Sequence, residues 1–175
     1  MKIDAEFEAF VRARSTALLR TAYLLTGDRG AAEDLLQTTL LRVARRWSTA
    51  RTAPEAYART VLVNLSHDRR RALFRRPREA PLPPDPDLMT GVDQNLDRVA
   101  ERGAMVRALA ALPIRQRQVL VLRYFEDLSV EETAQLLHCT PGTVKAHASR
   151  GLARLRDLLV GADDQPLQEV PHAHR

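Results

Sequence analysis

The chain has 175 residues, a formal net charge of +5 and 5% aromatic residues. This length holds one large domain or two small ones, and abundant Ala, Leu and Arg with few aromatics favour helices over a β-sandwich. The single cysteine excludes internal disulfides and a cysteine-cluster zinc site, and no apolar run reaches the roughly 18 residues of a membrane span. We expect a cytoplasmic all-α protein with no metal or cofactor, whose positive charge suits either a polyanionic partner or a solvated surface.

The first half of the chain predicts three helices. Apolar residues recur at helical spacing over residues 5–26, where Gly27 can end the first helix. Asp28 can open a second helix over residues 30–47, and residues 48–54 are predicted to form a loop. The second helix has a packing face and other faces that carry Asp34, Gln37, Thr38, Leu41 and Arg45.

A third helix is predicted over residues 55–75, with Pro54 suited to its start. It runs into RRRALFRRPR at residues 69–78, which holds six arginines. Such a run is typical of a surface that tracks phosphates, although a solvated helix end has the same composition.

A change of composition marks a domain boundary after this helix. Residues 80–95, APLPPDPDLMTGVDQN, contain four prolines and three aspartates, which predicts an extended linker. We therefore predict two small helical domains joined by a Pro/Asp-rich linker. The domains are residues 1–79 and 98–160, the linker is 80–97, and a mobile tail follows at 161–175.

The second domain is predicted to end in a helix-turn-helix at residues 128–159. Ser129 and Glu132 have capping-box spacing, residues 138–139 make the turn, and Thr140 can cap the next helix. That second helix has apolar residues every three or four positions. The residues expected to be buried are Val144, Ala148, Leu152, Leu155 and Leu159.

The opposite face of this second helix is small, polar and basic at its N-terminal end. In a helix-turn-helix this end enters the major groove, where small residues allow close approach and basic ones reach phosphates or base edges. Some helix-turn-helix units serve only for packing or protein docking, so DNA contact is the favoured of two readings. The predicted DNA-binding residues are Thr140, Pro141, Gly142, Thr143, Lys145, His147, Ser149 and Arg150.

Three segments carry a family resemblance: AEDLLQTTLLRVARRW (32–47), TVLVNLSHDRRR (60–71) and residues 111–156, which begin ALPIRQRQVL. In this order they resemble the extracytoplasmic-function (group IV) sigma factors of the sigma-70 superfamily, which direct bacterial RNA polymerase to promoters. The segments are similar, respectively, to the part that binds core polymerase and melts DNA, the helix that reads the −10 element, and the −35-binding domain. RTAYLLTGD (20–28) resembles the actinobacterial SigE-like branch.

The resemblance implies region 2 for the first domain and region 4 for the second. It implies contacts with the β′ clamp helices and β flap of core RNA polymerase, with promoter DNA and with an anti-sigma factor. The core-binding positions would be Asp34, Leu35, Gln37 and Leu40. The −10-binding positions would be Tyr57, Arg59, Asn64, Asp68 and Arg69.

Two positions depart from the family pattern. A glycine is common where this chain has His138, so we expect a turn that is either slightly strained or built on a left-handed histidine. Arginine is common in the recognition helix where this chain has His147.

Two other functions are compatible with parts of the sequence. A stand-alone helix-turn-helix regulator would need a sensor or a dimer interface, and the first 80 residues show neither a phosphoacceptor arrangement nor sustained heptads. His67 and Asp68 could begin a metal phosphohydrolase site, but the remaining histidines lie in the helix-turn-helix or the tail. We therefore predict a sigma factor rather than an enzyme.

Overall fold

The structure, a computed structural model, describes the backbone of residues 5–73 and 96–163 and the side chains of residues 5–68 and 102–161. Every regular element in these ranges is helical, so the predicted all-α class is confirmed. The helices are α1 (Ala5–Thr26), α2 (Arg29–Arg45), α3 (Trp47–Ala50), α4 (Pro54–Leu73), α5 (Leu96–Ala111), α6 (Ile114–Leu120), α7 (Val130–Leu137) and α8 (Pro141–Asp163), and a π-helical turn at Val121–Phe125 follows α6.

The junction between α1 and α2 forms as the local sequence predicts. Gly27 has a φ of 74°, a left-handed conformation that glycine adopts without steric cost. Asp28 caps α2, because its Oδ1 accepts a hydrogen bond of 2.7 Å from the Ala31 N–H. Both signals are confirmed.

The loop predicted at residues 48–54 is wrong in its first part, where the short helix α3 lies. The Ala50 N–H donates to the Arg46 carbonyl at 2.8 Å, so a helical turn starts again directly after α2. Arg46 itself has a φ of −116°, which bends the chain. Trp47 then packs on Phe7 and Phe10 of α1, with ring centroids 5.2 and 5.7 Å apart.

The second half contains an element that the sequence did not predict. The Glu126 N–H donates to the Val121 carbonyl at 3.1 Å, an i to i+5 bond that closes the π-helical turn. At this turn Tyr124 and Phe125 remain 52% and 45% exposed, whereas Leu122 is fully buried.

Buried apolar residues from both halves form one continuous cluster. Helix α1 packs on α2 and α4 in the first half and also on α5, α6 and the π-helical turn, and α4 contacts α6. The two predicted domains therefore lie directly against each other.

Parts of the predicted domain plan fall outside the described residues: 74–78 of the arginine run, 80–95 of the linker and 164–175 of the tail. Where the described backbone resumes, α5 already begins at Leu96, and α8 continues to Asp163.

Candidate DNA and polymerase interfaces

Local hydrogen bonds build the helix-turn-helix. The Glu132 N–H donates to Ser129 Oγ at 3.0 Å, and the Ser129 N–H donates to Glu132 Oε2 at 2.7 Å, which completes the predicted capping box. These bonds hold the pKa of Glu132 below its usual value, the Ser129 backbone bond contributing most. His138 ends α7 with φ 53° and ψ 48°, so the left-handed conformation is the alternative that this turn adopts.

The second helix of the motif, α8, begins at Pro141 as predicted. The Thr143 N–H donates to Thr140 Oγ1 at 3.1 Å, so Thr140 caps the helix. The same hydroxyl lies 2.9 Å from Thr143 Oγ1. Thr143 is half-buried, and its N–H and hydroxyl both take part in the cap.

The buried stripe of α8 differs from the prediction at two positions. Leu152, predicted to be buried, is 38% exposed. Gly151 is buried in its place, where an added Cβ would lie 3.2 Å from Leu120 Cδ1. Val144 and Gly151 are buried, and Ala148, Leu155 and Leu158 pack partly against the core. Leu158 packs there in place of the predicted Leu159, which is half-buried.

Most of the predicted −35 residues share the exposed face at the start of α8. The exposed ones are Thr140, Pro141, Gly142, Lys145, Ser149 and Arg150.

His147 differs from them because it is half-buried. Its Nδ1 is buried without a hydrogen-bond partner. Burial lowers the pKa of His147, and the positive charges of Arg150 and of Arg115 on α6 lower it further. The imidazole is therefore biased towards its neutral form, and the proximity of Arg115 could not be read from the sequence.

The predicted polymerase-binding residues on α2 do not form one surface. Asp34 and Gln37 are exposed, whereas Leu35 is only 4% exposed within the core and Leu40 packs partly against it. Leu41, which is 59% exposed, lies on the same helical face as Asp34 and Gln37. The sequence pattern placed Leu41 off the packing face but not among the binding candidates.

The predicted −10 residues on α4 also divide into separate groups. The helical period places Tyr57, Asn64 and Asp68 along one stripe, where Asn64 and Asp68 are exposed and Tyr57 packs partly on the core. Arg59 lies on the other side of α4, and its Nε donates to Glu126 Oε2 at 2.7 Å. The side chain of Arg69 lies outside the described residues.

The described residues offer little to the other functions considered. His67 Nδ1 and Asp68 Oδ1 are 4.0 Å apart, but no third ligand-type side chain of the described part completes a metal site around them.

Among the described helices, none has both the length and the apolar content needed to cross a membrane.

Comparison with known proteins identifies both halves. Residues 10–76 match Sigma-70 region 2, and residues 102–155 match Sigma-70, region 4. The RNA polymerase sigma-E factor of Streptomyces coelicolor is 42% identical over 162 residues, which cover 90% of this chain and 88% of that protein. The ECF RNA polymerase sigma factor SigE of Mycolicibacterium smegmatis is 33% identical over 94% of this chain and 65% of its own length.

Among solved structures, the sigma factor RpoE of Bartonella quintana, crystallised with the anti-sigma factor NepR, has a similar fold. The TM-score is 0.68 at 24% identity, and the match covers 90% of this chain and 98% of that one. With both family regions in order and relatives that match along most of its length, this chain belongs to the sigma-70 family, among its ECF RNA polymerase sigma factors.

Proposed function

We propose that the chain is an alternative sigma factor that binds core RNA polymerase and directs it to promoters for DNA melting and initiation. The observation that carries this proposal is the presence of both family regions in one chain, with the outer face of the helix-turn-helix exposed. In this role the protein acts in the cytoplasm and contributes recognition rather than catalysis. A stand-alone regulator is less favoured, because region 2 would then have no task.

Recognition of the −35 element is assigned to the start of α8. Gly142 has no side chain, and an added Cβ would meet only Thr140 Oγ1 at 3.8 Å, so backbone can approach DNA closely here. Lys145 and Arg150, further along the same helix, are exposed and carry the positive charge that phosphates attract. Thr143 and His147 would act mainly by shaping this surface, since both are half-buried.

Binding of core polymerase is assigned to the exposed face of α2. Asp34 and Gln37 supply a polar rim, and the exposed Leu41 supplies the apolar centre that an interface of this kind requires. Leu41 replaces Leu35 in this proposal, because a side chain buried in the core packs the helix rather than binding a partner.

Contact with the −10 element is assigned to α4. The stripe of Tyr57, Asn64 and Asp68 offers an aromatic ring and two polar groups to unpaired bases, which expose their faces and edges on melting. Arg59 and Arg69 would add contacts with phosphates.

An anti-sigma factor is a further partner that we propose. The Bartonella relative is held in a complex of this kind, and its fold matches nearly the whole of this chain.

Run-off transcription with purified core RNA polymerase and genomic DNA fragments tests the function. We expect promoter-specific transcripts only when the protein is added, and their start sites would reveal both promoter elements. Arg150→Ala should reduce these transcripts, whereas Arg12→Ala, which removes the same charge from an exposed site on α1, should not. DNA binding without any initiation would favour the stand-alone regulator instead.

A further inference from the structure

The carboxylate of Glu126 connects the two family regions. Its Oε1 accepts a hydrogen bond from the Thr21 hydroxyl of α1, and its Oε2 accepts the Arg59 Nε at 2.7 Å. The side chains of Arg59 and Glu126 are only 16% and 18% exposed, so this ion pair is largely shielded from water. Arg59 also lies 3.5 Å from Glu55 on its own helix.

Two buried side chains of α6 make further polar contacts across the same boundary. The amide of Gln118 donates to the Val63 carbonyl at 3.0 Å and to Ser66 Oγ at 3.2 Å. Nη1 of Arg117 donates to the Leu25 carbonyl at 2.7 Å, near the end of α1 where helix carbonyls lack intrahelical partners. If the two regions separate, water can replace the hydrogen-bond partners of both side chains. Opening therefore need not leave these polar groups unsatisfied.

Gly27, directly after α1, packs against Ala110 of α5. A Cβ added at Gly27 would lie 2.6 Å from the Cβ of Ala110. The end of α1 can therefore reach α5 only because one side of the contact is a glycine. This fit depends on the size of residue 110.

From these contacts we propose that Glu126 is an intramolecular latch that holds the two regions closed and keeps Arg59 from DNA. In the closed form the Arg59 guanidinium is paired with a carboxylate of region 4, the place that a phosphate would otherwise take. Closure and DNA contact by Arg59 then exclude each other. Any ligand that needs Arg59 binds only the open fraction, so its apparent affinity is reduced by that fraction.

The inference rests on the proposed function where it assigns Arg59 to −10 DNA. The latch and the proposed function can be tested separately, because the distance between the two regions can be measured without polymerase. Spin labels on cysteines introduced at the exposed positions Ser48 and Gln135, with Cys139→Ser, would report that distance in the full-length chain by pulsed electron resonance. Affinity for a fluorescein-labelled single strand of mixed sequence would report the DNA surface.

Three variants complete the experiment. Glu126→Gln removes the negative charge and keeps nearly the same side-chain shape. Ala110→Leu places a larger side chain against Gly27 and leaves Glu126 unchanged. Glu131→Gln makes the same charge change on the exposed surface of α7 and serves as the control.

We expect a longer distance component in Glu126→Gln and Ala110→Leu, and single-strand affinity raised roughly three- to tenfold, the range expected for losing one polar contact. Glu131→Gln should match the parent protein in distance. A distance in Glu126→Gln equal to that of the control would overturn the latch, and Ala110→Leu shows that the labels detect opening when it occurs. A longer distance with single-strand affinity no higher than in Glu131→Gln would overturn the role of Arg59. If the latch opens as expected but run-off transcription never depends on the protein, only the proposed function fails.

Discussion

The two family regions differ in how their interaction surfaces are presented. In region 4 the start of α8 exposes six of the eight residues predicted to meet DNA. In region 2 the predicted residues are dispersed, since Leu35 lies in the core, Tyr57 packs partly against it and Arg59 is paired with Glu126. The proposed −35 surface is thus formed within its own region, whereas Arg59 of the proposed −10 surface contacts the other region.

Packing explains this difference. Helix α8 packs on α5, α6 and α7, so its outer face needs no element of region 2. Helix α4 packs on α1 and α2 of its own region and also contacts α6 of the other region. A surface on α4 therefore changes with the separation of the two regions.

The largest expected effect distinguishes the two leucines of α2. Leu35→Ala should lower the free energy of unfolding by about 2–5 kcal/mol, because it leaves a cavity in the core. Leu41→Ala should change it by less than about 0.5 kcal/mol, because the side chain is exposed, and should weaken binding of core polymerase instead. Urea unfolding and a polymerase-binding titration check both. If Leu35→Ala is as stable as the parent protein but binds polymerase more weakly, Leu35 belongs to the interface, as the family resemblance implied.

A second variant tests the packing that orients α8 in region 4. Gly151→Leu should cost about 1–3 kcal/mol of stability, because the new side chain must displace Leu120 in a packed interior. Gly161→Leu is the matched control, since an added Cβ there meets nothing within 4 Å. Thermal unfolding of both variants measures the difference, and equal midpoints would mean that α8 packs differently.

The charge on the exposed face of α8 gives a smaller effect. Arg150→Ala should weaken binding to −35 duplex about tenfold and, if the contact is a phosphate, reduce the salt slope by about one. Arg12→Ala should leave both unchanged. Fluorescence anisotropy at several salt concentrations checks this, and an unchanged affinity would remove Arg150 from the interface.

The smallest effect concerns the pH dependence of His147. Burial lowers its pKa in the folded protein below the value of 6.5, so the unfolded chain binds the proton more readily. The stabilisation by neutral His147 is therefore present above pH 6.5 and is lost as the pH falls through the folded-state pKa. His147→Asn should show a smaller drop in unfolding midpoint between pH 8 and pH 5. Parallel pH profiles for the two proteins would show that the imidazole is solvated.

The sequence alone determined the helices and the motif because those signals act within one or two turns. The capping residues Asp28, Ser129 and Thr140 and the first-turn Pro141 were predicted from neighbours in the chain, and the structure confirms each. The left-handed His138 was one of two outcomes expected from the family pattern. The family assignment rests on the same kind of ordered local pattern.

The tertiary structure alone decided how the regions meet, and it corrected the burial of individual residues that periodicity had assigned. Gly151 carries no hydrophobic side chain, so periodicity assigned its burial to Leu152. Helical periodicity already placed Leu41 off the packing face of α2, but only the structure shows that Leu35, which the family resemblance assigned to polymerase binding, is buried in the core. The Arg59–Glu126 pair joins residues 67 positions apart. Contacts of this range depend on the complete fold, because no local propensity specifies which distant side chain will neutralise a charge.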